Sequence, residues 1–107
     1  MTKPRLVYKS GEFVPESEAT VSIFDTALMY GDMVFEMTRS YNQTPYRLRN
    51  HLERLYAGIK ILEIDCGLTI DEMEAATMDT IEINKDRMPE GIDYQIMHNV
   101  SGGPMAL

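Results

Sequence analysis

Tryptophan is missing from this chain, and cysteine occurs once, as Cys66. A single thiol cannot close an internal disulfide, so stability has to come from a packed core, and the pattern suits a reducing cytoplasm. Cys66 follows an apolar run and has no histidine near it in sequence, which points to a structural, at least half-buried thiol rather than a nucleophile. Basic residues are scarce: ten Lys and Arg against seventeen Asp and Glu give a net charge of −7. That balance argues against a nucleic-acid grip, which needs clustered cations, and against a polybasic membrane patch. An acidic surface mostly serves solubility. Long apolar runs are absent as well. No segment approaches the roughly 18 to 20 continuous apolar residues of a membrane-spanning helix. The stretch Met1–Arg5 is positively charged without an apolar region behind it, unlike a secretory signal. The two histidines, His51 and His98, are far apart and form no H-x-x-x-H pair, so no metal site is expected. There is no G-x-G-x-x-G and no Walker loop, and Ser101-Gly102-Gly103 is too short a signal for a phosphate loop.

What is present suffices for one small domain: 107 residues, 44% of them hydrophobic. Leu6–Tyr8, a Ser10-Gly11 turn and Phe13-Val14 read as a β-hairpin. Val21–Asp25 reads as a further extended segment, and Thr26–Tyr30 as a short turn or helical piece closed by Gly31. Met33–Tyr41 is the clearest strand, turning at Asn42–Thr44 into a return strand over Pro45–Leu48, with the proline at its start. A helix is expected from about Asn50 to Leu62, with Leu52, Leu55, Tyr56, Ile59 and Leu62 on one stripe and Gly58 a weak point. Thr69-x-x-Glu72 is a capping box opening a second helix that runs to about Asn84, with Ile70, Met73, Ala76, Thr77, Thr80 and Ile81 inward. Met88–Gly91 breaks the chain, and Ile92–Val100 reads as a last strand. The fold class is α+β, an antiparallel-rich sheet covered by two helices.

Alternation puts Met33, Phe35, Met37, Arg39 and Tyr41 on one face of the long strand and Val34, Glu36, Thr38 and Ser40 on the other. From periodicity alone, Phe35 and Met37 are core and Arg39 extends to the sheet edge. Arg54 lies about 100° around its helix from Leu55, off the apolar stripe, where an arginine is ordinarily solvated.

Taken together, Tyr30-Gly31-Asp32-Met33-Val34-Phe35-Glu36, then Pro45–Leu48, then His51-x-x-Arg54-Leu55, resemble the N-terminal domain of the class IV aminotransferases. These are the fold-type-IV pyridoxal-phosphate enzymes, which include branched-chain and D-amino-acid aminotransferases and aminodeoxychorismate lyase. The resemblance implies that Arg54 grips the cofactor phosphate, for which a guanidinium fork is well suited. It implies that Phe35, Met37 and Arg39 line the substrate side-chain pocket and that Tyr30 closes that pocket across a dimer interface, while His51 is structural. Met37 stands where the family often has Gly or Thr, which reshapes the pocket. Gly102 stands at a family arginine, and Gln95–His98 lacks the arginine that some branched-chain enzymes use for the substrate carboxylate.

The resemblance also implies what residues 1–107 do not hold. In the family the lysine that bonds the cofactor, and the acid facing its pyridine nitrogen, belong to a C-terminal domain. Lys3, Lys9, Lys60 and Lys85 are no substitutes, so no catalytic residue is expected here and the chain alone should be inactive. The leading expectation is a truncated chain or gene fragment; a cleaved piece of a longer protein and a stand-alone, non-catalytic binding or assembly domain are the others. The parent would be a cytoplasmic, homodimeric transferase that uses pyridoxal 5′-phosphate to move an amino group between an amino acid and a 2-oxo acid. Branched-chain substrates are favoured, given the apolar pocket face. A D-amino-acid aminotransferase or aminodeoxychorismate lyase fragment is the alternative.

Overall fold

The computed structural model describes residues 3–105. Strands β1 (Leu6–Lys9) and β2 (Glu12–Pro15) form the expected antiparallel hairpin, with Val7 opposite Val14 and Tyr8 opposite Phe13. Its two-residue turn, Ser10-Gly11, has positive φ at both positions (50° and 91°), the geometry that matches strand twist.

The segment Val21–Asp25 does not become a strand. Its bridge joins Asp25 to Pro104, whose missing N–H cannot carry a ladder further. Asp25 instead caps α1 (Thr26–Tyr30), its carboxylate accepting from the Ala27 N–H at 2.9 Å, and Gly31 closes that helix in the left-handed region at φ 71°.

Strand β3 (Met33–Tyr41) is the spine of a three-stranded antiparallel sheet, between β4 (Thr44–Pro45) and β5 (Gln95–Ser101). The β3–β4 turn is only Asn42-Gln43, again with positive φ at both residues (51° and 61°), so Thr44 joins the strand. The expected return strand shrinks to two residues because Arg47 turns into the left-handed region (φ 56°) and Leu48 already starts a helix.

That helix, α2 (Leu48–Ile61), lays Leu48, Leu52, Leu55 and Ile59 against β3, and these close a core with Val100 of β5. Leu62 falls beyond the helix end and is exposed. Gly58 has a packing role: a Cβ there would lie 2.7 Å from Val34 Cγ1, so glycine lets helix and strand approach. Helix α3 (Ile70–Ile83) opens on a complete capping box, with Glu72 Oε1 accepting from the Thr69 N–H at 2.9 Å and Thr69 Oγ1 accepting from the Glu72 N–H at 3.1 Å. At its other end Asn84 imitates a neighbouring strand for β1. Its Oδ1 accepts from the Leu6 N–H at 2.8 Å, and its Nδ2 donates to the Leu6 carbonyl at 2.9 Å.

The sheet face that the helices cover is the reverse of the one periodicity favours. Glu36, Thr38 and Ser40 are buried, while Phe35 (61% exposed) and Met37 (39%) face outward. The polar face can go inside because partners await it there. Ser40 Oγ donates to Asp93 at 2.7 Å, and Glu36 meets the Arg54 guanidinium and the His51 ring of α2.

Candidate functional site

Glu36 projects from the middle of β3 toward α2, where His51 and Arg54 stand three residues apart and so share one helical side. Arg54 Nε donates to Glu36 Oε1, Arg54 Nη2 donates to Oε2 at 2.9 Å, and His51 Nδ1 lies 3.0 Å from Oε2. The acid is 6% exposed and the Arg54 side chain 74%. Hydrogen bonds from Arg54 hold the Glu36 carboxyl down at about 2; burial opposes this, and the His51 bond adds to it. The same carboxylate pushes the Arg54 pKa upward. One edge of the guanidinium, Nε and Nη2, is thus engaged, and Nη1 is left out of these bonds on a side chain that is largely exposed. A spare donor on a permanent, exposed cation suits an anionic oxygen, a phosphate above all.

A second histidine backs this cluster. His98 of β5 sits directly across the ladder from Glu36, with its Nε2 2.8 Å from Thr77 Oγ1. Thr77 donates its own proton to the Met73 carbonyl at 2.7 Å, so His98 Nε2 carries the hydrogen of the bond between them. Burial lowers the His98 pKa. His98 Nδ1 and Thr38 Oγ1 are buried without a protein partner.

The outer sheet face carries the other candidates in a row: Phe35 opposite Asn99, Met37 opposite Met97 and Arg39 opposite Gln95. The Arg39 guanidinium lies 4.2 Å from the Tyr41 ring centre, and its Nε donates to the Ser40 carbonyl at 3.2 Å. Tyr30 is exposed at the end of α1, three residues before β3 begins. The fold therefore brings Phe35, Met37 and Arg39 together, sets Tyr30 just ahead of them, and leaves Arg54 beyond the opposite face of the strand. A hollow of about 560 Å³ beside Ile81, Met88, Ile92 and Tyr94 includes none of these side chains. Lys3 is paired with Asp86 and Lys85 with Glu82, Lys9 ends β1 beside its turn, and Lys60 is exposed on α2. None of the four bonds to the Glu36–Arg54 cluster. At Gly102 a Cβ would stand 2.5 Å from Asp32 Oδ2 and 2.8 Å from Thr26 Oγ1, so no larger residue fits there unless they move.

Sequence reasoning missed Glu36, His98 and Thr77, since a Glu-x-Thr-x-Ser alternation normally faces water. The available signal was Arg54 with His51 three residues before it on the helix edge, a cation and an imidazole that call for a facing acid.

The family model described as amino-transferase class IV matches residues 33–107. This chain belongs to that family. As a class IV aminotransferase chain it is 43% identical over 81 residues to a putative branched-chain-amino-acid aminotransferase of Methanocaldococcus jannaschii, covering 76% of this chain and 28% of that protein. It is 30% identical over 84 residues to the D-alanine aminotransferase of Staphylococcus haemolyticus, covering 78% and 29%. The crystal structure of a T.th. branched-chain amino acid aminotransferase with pyridoxamine 5′-phosphate superposes with a TM-score of 0.83 at 32% identity, over 100% of this chain and 35% of that one. The chain thus spans under a third of the curated relatives and about a third of the solved structure. The α+β architecture is that of the fold-type-IV enzymes. Among the described residues no helix is long and apolar enough to cross a membrane.

Proposed function

We propose that residues 1–107 form the N-terminal domain of a pyridoxal-phosphate-dependent aminotransferase, cytoplasmic and homodimeric, that acts on branched-chain amino acids and 2-oxo acids. The observation that carries this is Arg54, largely exposed and held by a buried carboxylate through Nε and Nη2, with Nη1 left out of the pair. The donor chemistry fits a cofactor phosphate. Bound pyridoxal phosphate supplies an electron sink for bond-breaking at the amino-acid Cα.

This chain's own residues bind and orient. Arg54 holds the phosphate, and Phe35, Met37 and Arg39 present an apolar row with a cation at its end to the substrate. Tyr30 closes that pocket from the partner protomer. As the family resemblance implies, the lysine that bonds the cofactor would come from a C-terminal domain; of this chain's four lysines, two are ion-paired and the other two lie outside the cluster. A D-amino-acid specificity is the second reading, favoured by the D-alanine aminotransferase relative; an aminodeoxychorismate lyase parent or a non-catalytic assembly domain would keep the same fold. Amino transfer to 2-oxoglutarate by the protein that carries this chain tests the choice. Leucine, isoleucine and valine should be accepted well ahead of D-alanine. The reverse order would establish the second reading, and no transfer from any of them would favour the lyase or the assembly domain.

A further inference from the structure

We infer that Glu36 is a positioning residue for the anion site: it fixes the Arg54 guanidinium through Nε and Nη2 and leaves Nη1 free for an anion. The inference rests on the proposed phosphate-holding role of Arg54. Its ground is the asymmetry of the pair. An ordinary surface ion pair leaves both partners wet, and a core ion pair buries both. Here the acid is sunk in the sheet at 6% exposure while the guanidinium stays 74% exposed. The carboxylate takes Nε and Nη2, so both the last side-chain torsions and the plane of the fork are set. His51 Nδ1 on Oε2 fixes the carboxylate from its other side, and β3 is clamped between two neighbours. An arginine alone on an exposed helical turn visits many rotamers and gives up that freedom on binding; a pre-set fork has given it up on folding. Glu36 also withdraws charge from the site, so the inference requires orientation to outweigh the lost attraction.

The test uses the 107-residue chain, ¹⁵N-labelled, with inorganic phosphate as probe and the arginine Nε–H resonances as readout. In the unsubstituted protein the Arg54 Nε–H should be shifted downfield by the carboxylate and should respond to phosphate. Glu36→Gln should return that resonance toward the free-arginine position and weaken phosphate binding roughly tenfold. The substitution should add nothing when Arg54→Ala is already present, because Glu36 acts through Arg54. Should Glu36→Gln not fold, Glu36→Asp reads the same point: it keeps the buried charge but withdraws it by one methylene, and phosphate binding should again fall. Unchanged or tighter phosphate binding in the folded Glu36 variant, with Arg54→Ala losing it, overturns the positioning role and leaves the Arg54 reading intact. An unsubstituted protein whose Arg54 resonance ignores phosphate overturns both.

Discussion

Glu36 carries its charge on the buried, polar face of β3, and that has a consequence for stability. Its pKa is lowered from 4.5 to about 2 on folding. The unfolded chain therefore takes up this proton first as pH falls, and Glu36's contribution is complete above about 4.5 and lost progressively toward 2. Urea unfolding across that window should show stability dropping with acid, and Glu36→Gln should flatten the slope as well as lower the plateau; an identical slope in the variant would remove Glu36 as its source. At this scale the sequence is partly legible. Arg54 and His51 stand in a recognisable H-x-x-R-L, and Phe35, Met37 and Arg39 share an outward face as the family resemblance implies. Periodicity assigns Phe35 and Met37 to the core, and it fails because alternation sorts residues onto two faces without saying which is covered. The partners of Glu36 and Ser40 lie at sequence separations of 15 and 18, and 53, beyond any local pattern.

Helix α2 meets β3 at Gly58, and α3 meets β5 through Thr77 and His98. Alanine at 58 would gain about 1 kcal/mol of helix propensity but would press on the stiff, β-branched Val34, where overpacking costs about 1–3 kcal/mol. Gly58→Ala should therefore lower the unfolding free energy by about 1 kcal/mol in chemical denaturation; a stabilised variant would mean the contact relaxes freely. Thr77→Ala leaves the His98 Nε2–H buried and unpaired and should cost about 1–3 kcal/mol by the same measurement. Burial depresses the His98 pKa below its ordinary 6.5, so this residue's share of stability is present above about 6.5 and falls away as pH drops below it. Elements with strong local signals are legible: the hairpin, β3, the capping box of α3 and the stripe of α2 all form close to where expected. Val21–Asp25 and Pro45–Leu48 depart from expectation because their fate turns on an N-cap, a proline without an N–H and a left-handed Arg47, none of which apolar patterning records.

The whole molecule presents apolar surface that a lone domain would not normally leave wet. Ile23, Leu28, Tyr30, Phe35 and Met97 are all substantially exposed, in keeping with a domain that packs against more protein. Sedimentation of the 107-residue chain should show mass rising with concentration, and Phe35→Ser with Met97→Ser should reduce that association. A clean, cooperatively melting monomer would argue against it. The measurement that tests the central claim most directly is the absorbance spectrum of the purified chain with pyridoxal phosphate, for unsubstituted protein and Arg54→Ala, before and after borohydride and dialysis. The account predicts reversible binding that Arg54→Ala abolishes and no cofactor retained after reduction. A stoichiometric adduct on one of the four lysines, or binding indifferent to Arg54, would contradict it.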